Sequence, residues 1–425
     1  MKKSGIVKKI RSYWHILGPG LTTGAADDDP AGITTYSQTG AQFGYQLTWL
    51  SLFTFPLMGV VQEMCARIGL VTGRGLAANI KLHYPRILLY TCAILLFLAN
   101  TINIGANLGA MAKATQLLLP SVDFTILILL FSSLTLILQI YVCYEKYAKV
   151  LKFLTFTLLA YVAVAFTVKL DWDQVIRSTL IPSFSFTKEY LFIICAIFGT
   201  TISPYLFFWQ TSQEIEDEIS HGKKTIKARQ VTTPKDIWRM RLDVWSGMLL
   251  SNVIMFFIII ACAATLYQTG QTNIQTAADA ANALKPIAGN AAYFLFTAGI
   301  LGTGLLAIPV LAGSSSYAIS ESLGWKEGLH KKFYQAHSFY GVIILSTLLG
   351  LIINYIGLDP IQALLYSAVI NGIVAPIMLV FIVLLSNNKK IMGKFSNGPI
   401  TRTIGWITVA VMTFVALATI ASFLG

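Results

Sequence analysis

Charged residues are scarce in this chain of 425 residues, because Asp, Glu, Lys and Arg together make up 12% of it. A soluble domain carries about 25%. Hydrophobic residues account for 55% of the chain, and the mean hydropathy is +0.67. This composition excludes a disordered protein and a soluble enzyme with a single core. The net charge of +12 alone does not indicate nucleic-acid binding, because the loops of membrane proteins are also rich in Lys and Arg.

Paired cysteines and a signal-peptide pattern are lacking too. The five cysteines have no CxxC spacing and lie in or beside apolar stretches: Cys65, Cys92, Cys143, Cys195 and Cys262. We therefore expect buried free thiols rather than a disulfide scaffold or a zinc site. No small-residue cleavage site follows a short apolar core near the basic N-terminus, so residues 1–14 are predicted to form a cytoplasmic tail.

Long apolar runs are what the chain has instead. Each is close to the roughly 20 residues that a membrane helix needs, and no alternating pattern of a β-barrel appears. We predict an all-α integral membrane protein of eleven transmembrane helices. The predicted spans are 15–40, 45–70, 87–115, 121–142, 148–168, 189–212, 243–267, 291–318, 337–356, 361–385 and 403–424.

Positive charge is distributed unevenly between the loops that join these spans. If the N-terminus lies inside, 26 of the 31 Lys and Arg residues fall on the cytoplasmic side, leaving Lys113, Lys169, Arg177, Lys188 and Lys285 for the other side. The positive-inside rule requires such an asymmetry, so we expect a cytoplasmic N-terminus and an outer C-terminus. The longest polar loop, at about 213–242, is predicted to be a solvated cytoplasmic segment.

Acidic residues at bilayer depth are costly and usually functional, and only four are found here: Asp27, Asp28, Asp29 and Glu63. Arg67 follows Glu63 by one helical turn, which predicts an ion pair within that helix. The three consecutive aspartates have no such partner nearby in the sequence. Pro30 cannot donate a backbone hydrogen bond and disfavours helical geometry at Asp29, so we expect the first helix to break here. Carboxylates and freed carbonyls are hard oxygen ligands, which predicts a cation site.

A second break is predicted in the sixth span, where Thr200 and Ser203 precede Pro204. The first and sixth spans each open a block of five, and broken helices at equivalent places in two halves indicate inverted repeats with a site between them. This placement divides the chain into a tail (1–14), a first repeat (15–168), a second repeat (189–385) and an extra helix (403–424).

Three motifs in order carry a resemblance to a known family. They are Gly18-Pro19-Gly20 through Asp29-Pro30, then Gly40-Ala41-Gln42-Phe43-Gly44-Tyr45, then Ala66-Arg67-Ile68-Gly69-Leu70-Val71-Thr72-Gly73-Arg74. The chain resembles the Nramp family of divalent-metal transporters over nearly its whole length. The resemblance implies the amino acid–cation symporter fold, alternating access, and a metal held between the broken first and sixth helices. It also implicates the backbone carbonyls of Ala26 and Thr200 as ligands.

Two departures from the family pattern change the predicted ion. The family's Asp-Pro-Gly-Asn motif reads Asp29-Pro30-Ala31-Gly32, and its Met-Pro-His motif reads Ser203-Pro204-Tyr205. A thioether favours softer ions over Mg²⁺, whereas a site of oxygen ligands loses that preference. Gly32 and Ser203 also make room for water, which Mg²⁺ gives up reluctantly. Asp27 and Asp28 are expected to hold such waters in an outer shell. The sequence therefore resembles the Nramp-related magnesium transporters. Mn²⁺ is still expected to bind, because it also accepts oxygen ligands.

The third span has Asn103 and Asn107 where proton-coupled family members place acids, and the ninth span has no arginine. We therefore expect weak or absent proton coupling. Amides at such positions are more often interhelical hydrogen-bond donors than ligands. Asn371, in the tenth span, lies near a polar position of the family's site and is a lesser metal-site candidate.

Several alternatives stay open at this point. The leading hypothesis is a monomeric Mg²⁺ and Mn²⁺ transporter of the cell membrane, with the ion as substrate and no cofactor. The others are a proton-coupled Mn²⁺/Fe²⁺ symporter and, at lower rank, a sodium-coupled carrier of organic solutes with the same fold. A membrane enzyme is disfavoured, because neither a nucleophile–base pair nor a His-rich motif is present near the membrane surface. Nucleic acid is not an expected partner.

Overall fold

The computed structural model describes residues 17–142, 159–167, 170–285, 289 and 292–424. Within these ranges every long element is a helix and no strand occurs, which confirms the all-α prediction. The predicted tail (1–14), Cys143 and most of the span 148–168 lie outside the described residues.

Eighteen α-helices are described, and the long ones are predominantly apolar. In chain order they are α1 (Pro19–Asp27), α2 (Pro30–Phe43), α3 (Trp49–Thr72), α4 (Leu76–His83), α5 (Arg86–Leu118), α6 (Phe124–Tyr141), α7 (Leu159–Thr167), α8 (Trp172–Leu180), α9 (Lys188–Thr201), α10 (Pro204–Ser220), α11 (Ile226–Arg229), α12 (Pro234–Cys262), α13 (Ala277–Asn282), α14 (Ala292–Leu323), α15 (His337–Ile353), α16 (Pro360–Asn387), α17 (Lys389–Met392) and α18 (Pro399–Leu424).

Eight stretches of the described residues are long and apolar enough to cross a bilayer, and α9 with α10 counts as one of them. Two further predicted spans correspond to the broken pair α1 and α2 and to the shorter apolar helix α15. A multi-pass membrane protein is therefore confirmed, whereas the count of eleven and the repeat boundaries stay predictions.

Both predicted breaks are present, and each is followed at once by a proline. α1 ends at Asp27, and Asp29 then adopts an extended conformation and caps α2, whose first residue is Pro30. α9 ends at Thr201, and Ser203 is extended immediately before Pro204 at the start of α10. Proline suits the first position of a helix because its missing N–H would have no partner there. Each break therefore begins a new helix.

Close backbone packing joins α1 to α12. The Asp243 carboxylate accepts hydrogen bonds from the backbone N–H groups of Gly18, Gly20 and Leu21, at 2.8, 2.6 and 3.1 Å. One turn further on, a Cβ atom at Gly24 would overlap the Gly247 carbonyl. Asp243 thus supplies from another helix the acceptor that the first turn of α1 lacks.

The acidic end of α10 corrects the prediction of a solvated loop at 213–242. The helix continues to Ser220, and Glu214, Glu216 and Glu218 are buried. The Glu216 carboxylate accepts a hydrogen bond from the Tyr317 hydroxyl of α14 at 2.6 Å. A charge run in the sequence suggested solvent, but packing of α10 against α14 encloses these side chains.

The predicted partner of Glu63 is confirmed. Its carboxylate lies 3.6 Å from the Arg67 guanidinium. It also accepts hydrogen bonds from Arg241 at 2.8 Å and from the Trp245 indole at 2.9 Å. Glu63 is therefore bound between α3 and α12.

Four of the predicted free thiols are also confirmed. They are Cys65, Cys92, Cys195 and Cys262, and all four are buried. Among the described residues these cysteines form no disulfide.

Candidate metal site between the two broken helices

Asp29 is held from both of its carboxylate oxygens. Oδ1 accepts a hydrogen bond from the backbone N–H of Gly32 at 2.8 Å. Oδ2 lies 3.2 Å from the amide nitrogen of Asn103 and 3.3 Å from that of Asn107, both on α5. A fully buried carboxylate requires such donors. The expectation that these asparagines form interhelical hydrogen bonds is confirmed, and they orient Asp29 towards α5.

The hydrogen bonds at Asp29 extend to a third helix. The Ser367 hydroxyl of α16 donates to the Asn103 carbonyl oxygen at 3.1 Å, and Asn103 in turn donates to Asp29. This arrangement fixes the amide orientation of Asn103. The carboxylate is thereby positioned by α2, α5 and α16 together.

Asp27 and Asp28 face the opposite side of the break, where α12 lies. The Ser251 hydroxyl is 2.5 Å from Asp27 Oδ2 and 3.2 Å from Asp28 Oδ1. The second oxygen of each carboxylate is buried without a hydrogen-bond partner. Both side chains are fully buried, so these two oxygens are open acceptors to which a cation could bind.

The side chains of the three consecutive aspartates thus face two different sides of the break. Among the described residues, no group of three or more His, Cys, Asp or Glu side chains lies together in a way that could hold a metal ion. Any ion at the break would therefore combine one or two carboxylates with other oxygen atoms.

The two carbonyls implicated by the family resemblance both lie at the breaks. The Ala26 carbonyl, in the last turn of α1, accepts a hydrogen bond from the Tyr205 hydroxyl of α10 at 3.1 Å. The Thr200 carbonyl accepts one from the Ser203 hydroxyl at 2.8 Å, and Ser203 is also 2.5 Å from the Gly199 carbonyl. The two breaks are therefore in direct contact through Ala26 and Tyr205.

Gly32 lies where the first break faces the end of α9. A Cβ atom added to Gly32 would lie 3.1 Å from the Thr200 hydroxyl oxygen and 3.2 Å from the Asp27 carbonyl oxygen. Both contacts would be tight, so the lack of a side chain at Gly32 allows α2 to pack closely against the end of α9. The room for water that we expect beside Gly32 stays a prediction.

Asn371 lies in α16 next to Gly372, and its side-chain oxygen is buried without a hydrogen-bond partner. The backbones of Gly199 and Gly372 are in close contact, because a Cβ atom on Gly199 would overlap Gly372. Asn371 is thus one residue from the contact between α16 and the end of α9, and its oxygen is an open acceptor.

A family model decides the relationship of the chain to known proteins. The model described as natural resistance-associated macrophage protein-like, or Nramp, matches residues 20–422. The chain belongs to the Nramp family. The resemblance predicted from the three motifs is confirmed.

Curated relatives of this Nramp chain include two bacterial proteins described as divalent metal cation transporter MntH. The one from Klebsiella pneumoniae is 27% identical over 408 residues, which cover 93% of this chain and 91% of the relative. The one from Caldanaerobacter subterraneus is 26% identical over 421 residues, covering 96% and 92%. The similarity therefore extends over nearly the full length of both proteins.

Solved structures show that the fold is shared as well. The Eremococcus coleocola manganese transporter, in complex with an aromatic bis-isothiourea substituted compound, matches with a TM-score of 0.74 at 20% identity, covering 98% of this chain and 88% of that one. The inward-facing conformation of Mhp1 matches with a TM-score of 0.55 at 13% identity, covering 96% and 90%. The predicted amino acid–cation symporter fold is confirmed.

Ser251 is the residue of this Nramp site that sequence reasoning missed. It contacts two of the three aspartates, although more than 220 residues separate it from them. The available signal was a pair of polar residues, Ser251 and Asn252, inside an otherwise apolar run. The side-chain oxygen of Asn252 accepts a hydrogen bond from Thr54 at 3.1 Å.

Proposed function

We propose that this Nramp protein transports divalent metal ions, specifically Mg²⁺ and Mn²⁺, across a membrane by alternating access. The relatives described as divalent metal cation transporters support the substrate class. The observation that carries the choice of ion is the donor set at the breaks, which consists of carboxylate, carbonyl, hydroxyl and amide oxygens. Hard oxygen ligands suit Mg²⁺ and Mn²⁺ and give no advantage to softer metals.

Asp29 binds the ion in the proposed site, and seven further residues lie at or near the two breaks. Asp27 and Asp28, on the other side of the first break, offer free carboxylate oxygens that would hold waters of the ion, beside Gly32. Ala26, Thr200, Ser203 and Asn371 contribute carbonyl, hydroxyl and amide oxygens near the breaks. Because several of these oxygens already accept hydrogen bonds, a partly hydrated ion fits the site better than a fully dehydrated one.

Weak or absent proton coupling is the second part of the proposal. The groups that contact Asp29 from α5 are the amides of Asn103 and Asn107, and an amide does not titrate. A gradient and the membrane potential then drive uptake. At about 2.3 kcal/mol per charge per 100 mV, a divalent ion that crosses a potential of about 100 mV gains about 4.6 kcal/mol, which is sufficient to drive uptake.

A proton-coupled Mn²⁺/Fe²⁺ symporter is the alternative, and it is favoured by one observation. Asp27 and Asp28 share the single hydroxyl of Ser251, so the pair is short of donors unless an ion or a proton is present. A sodium-coupled carrier of organic solutes ranks lower, because three buried carboxylates at the break disfavour an anionic solute.

We further propose that the protein is a monomer in the cell membrane, with a cytoplasmic N-terminus and an outer C-terminus. The asymmetry of Lys and Arg between the loops supports this orientation. The function is that of a transporter and not of an enzyme, with the metal as substrate and no cofactor required.

Purified protein in liposomes tests the function, with Mg²⁺ and Mn²⁺ influx measured beside an internal pH dye. Asp29→Ala should abolish uptake of both ions. Asp123→Asn is the matched control, because Asp123 is an exposed carboxylate that caps α6. Mn²⁺ entry that excess Mg²⁺ fails to inhibit would refute the magnesium assignment, and acidification that depends on metal would refute uncoupled transport.

A further inference from the structure

We propose that Tyr205 determines ion specificity. Its hydroxyl donates a hydrogen bond to the Ala26 carbonyl, so an ion in the site retains water on that side instead of binding the carbonyl. The proposal rests on the transport function proposed above. It assigns Tyr205 a role in the choice between a hydrated and a more dehydrated ion.

The local chemistry begins with Pro30. In a continuous helix the Ala26 carbonyl would accept a hydrogen bond from the backbone N–H four residues later, but that residue is Pro30, which has none. The carbonyl is therefore free at the end of α1. The Tyr205 hydroxyl, which is buried, donates to it at 3.1 Å.

The second break repeats this arrangement. The residue four positions after Thr200 is Pro204, so the Thr200 carbonyl is freed for the same reason. The Ser203 hydroxyl lies 2.8 Å from it and 2.5 Å from the Gly199 carbonyl, and its single proton is shared between the two acceptors. Each carbonyl that a proline frees is thus bound by a hydroxyl from residues 203–205.

A carbonyl bound in this way is a poorer ligand than a free one. The hydrogen bond uses one of its two lone pairs. An approaching ion therefore meets the hydroxyl, which water can contact in turn. This favours an ion that keeps part of its hydration shell, and Mg²⁺ releases its waters reluctantly.

Tyr205→Phe tests the proposal, because it removes the hydroxyl and keeps the ring. The freed Ala26 carbonyl should then favour Mn²⁺, which exchanges its waters for protein oxygens more readily. In competition uptake into liposomes, the preference for Mn²⁺ over Mg²⁺ should rise roughly three- to tenfold, the range that the net value of one hydrogen bond allows.

Tyr36→Phe is the matched control. Tyr36 is also buried beside the first break, and its hydroxyl has no hydrogen-bond partner. Its removal should leave the ion preference unchanged. Ser203→Ala is a second variant, which frees the Thr200 carbonyl and should shift the preference in the same direction, so the proposal stays testable if Tyr205→Phe does not fold.

The outcomes separate this proposal from the transport function. If the wild-type protein carries neither ion, both are refuted. If it carries both ions and the preference is the same in Tyr205→Phe, the specificity role alone is refuted. Equal loss of Mg²⁺ and Mn²⁺ uptake in Tyr205→Phe would show that the hydroxyl only joins α1 to α10, and an equal shift in Tyr36→Phe would also overturn the proposal.

Discussion

Replacing Asp243 with alanine should release the start of α1 from α12. The carboxylate accepts three backbone hydrogen bonds from residues 18–21, and the one from Gly20 is buried while those from Gly18 and Leu21 are partly buried. A hydrogen bond to a charged group contributes about 2 kcal/mol when it is buried. Water can replace the partly buried bonds, so we assign them about 0.5 kcal/mol each. The total is about 3 kcal/mol.

Hydrogen–deuterium exchange of these amides measures that loss. A decrease of about 3 kcal/mol in the free energy of local opening corresponds to roughly 100-fold faster exchange at the amides of Gly18, Gly20 and Leu21. Asp243→Asn keeps one oxygen acceptor and should give a smaller increase. Asp236→Ala is the control, because Asp236 caps the start of the same helix through Thr233. Unchanged exchange at residues 18–21 in Asp243→Ala would refute the reasoning.

Three further changes have distinct expected results. Asn107→Asp places a second carboxylate against Asp29, and the repulsion between the two charges favours binding of a proton. Mn²⁺ uptake should therefore become inhibited at low pH, as measured by uptake assays between pH 5 and pH 8 in steps of about one pH unit. Ser251→Ala removes the shared donor of Asp27 and Asp28 and should change Mn²⁺ affinity several-fold, as measured by calorimetry. In the loop after α14, burial and the nearby Glu321 carboxylate raise the pKa of Glu327 from 4.5 to about 9. Glu327→Gln should therefore stabilise the protein increasingly as the pH rises through that window, as measured by thermal unfolding.

The direction of the stability change with pH at Glu327 follows from the number of protons bound in the folded and unfolded states. Between its ordinary pKa and the raised value, the folded state keeps a proton that the unfolded state has lost. Wild-type stability is thus complete below pH 4.5 and falls as the pH rises towards 9, whereas the glutamine variant has no such loss. A parallel pH dependence in both proteins would contradict this account. For Asn107→Asp and Ser251→Ala, the contradicting results are an unchanged pH profile and an unchanged affinity.

Local chemistry made the two breaks predictable from the sequence. Proline affects the residue before it and the carbonyl four residues earlier, so Pro30 and Pro204 fix both interruptions without knowledge of the fold. The Glu63–Arg67 pair was predictable for a similar reason, since one helical turn brings the two side chains together.

Long-range contacts were not predictable in this way. Ser251 and Asp243 meet α1 only because α12 packs against it, and no periodic pattern records that contact. The burial of Glu216 was missed because its charge suggested solvent, whereas Tyr317 and the backbone after α14 supply its donors. The side chains of Asp27 and Asp29 face different helices, and this follows from the change in backbone direction at Asp28 rather than from their order.

The backbone contact between α1 and α12 also limits how the molecule can open. Gly24 and Gly247 lie so close that neither helix can slide along the other without a clash. The short first helix and residues 243–247 of α12 therefore form one closely packed unit, and the bend at Asp28 joins that unit to α2. A motion that moves this unit away from α10 would separate Tyr205 from Ala26.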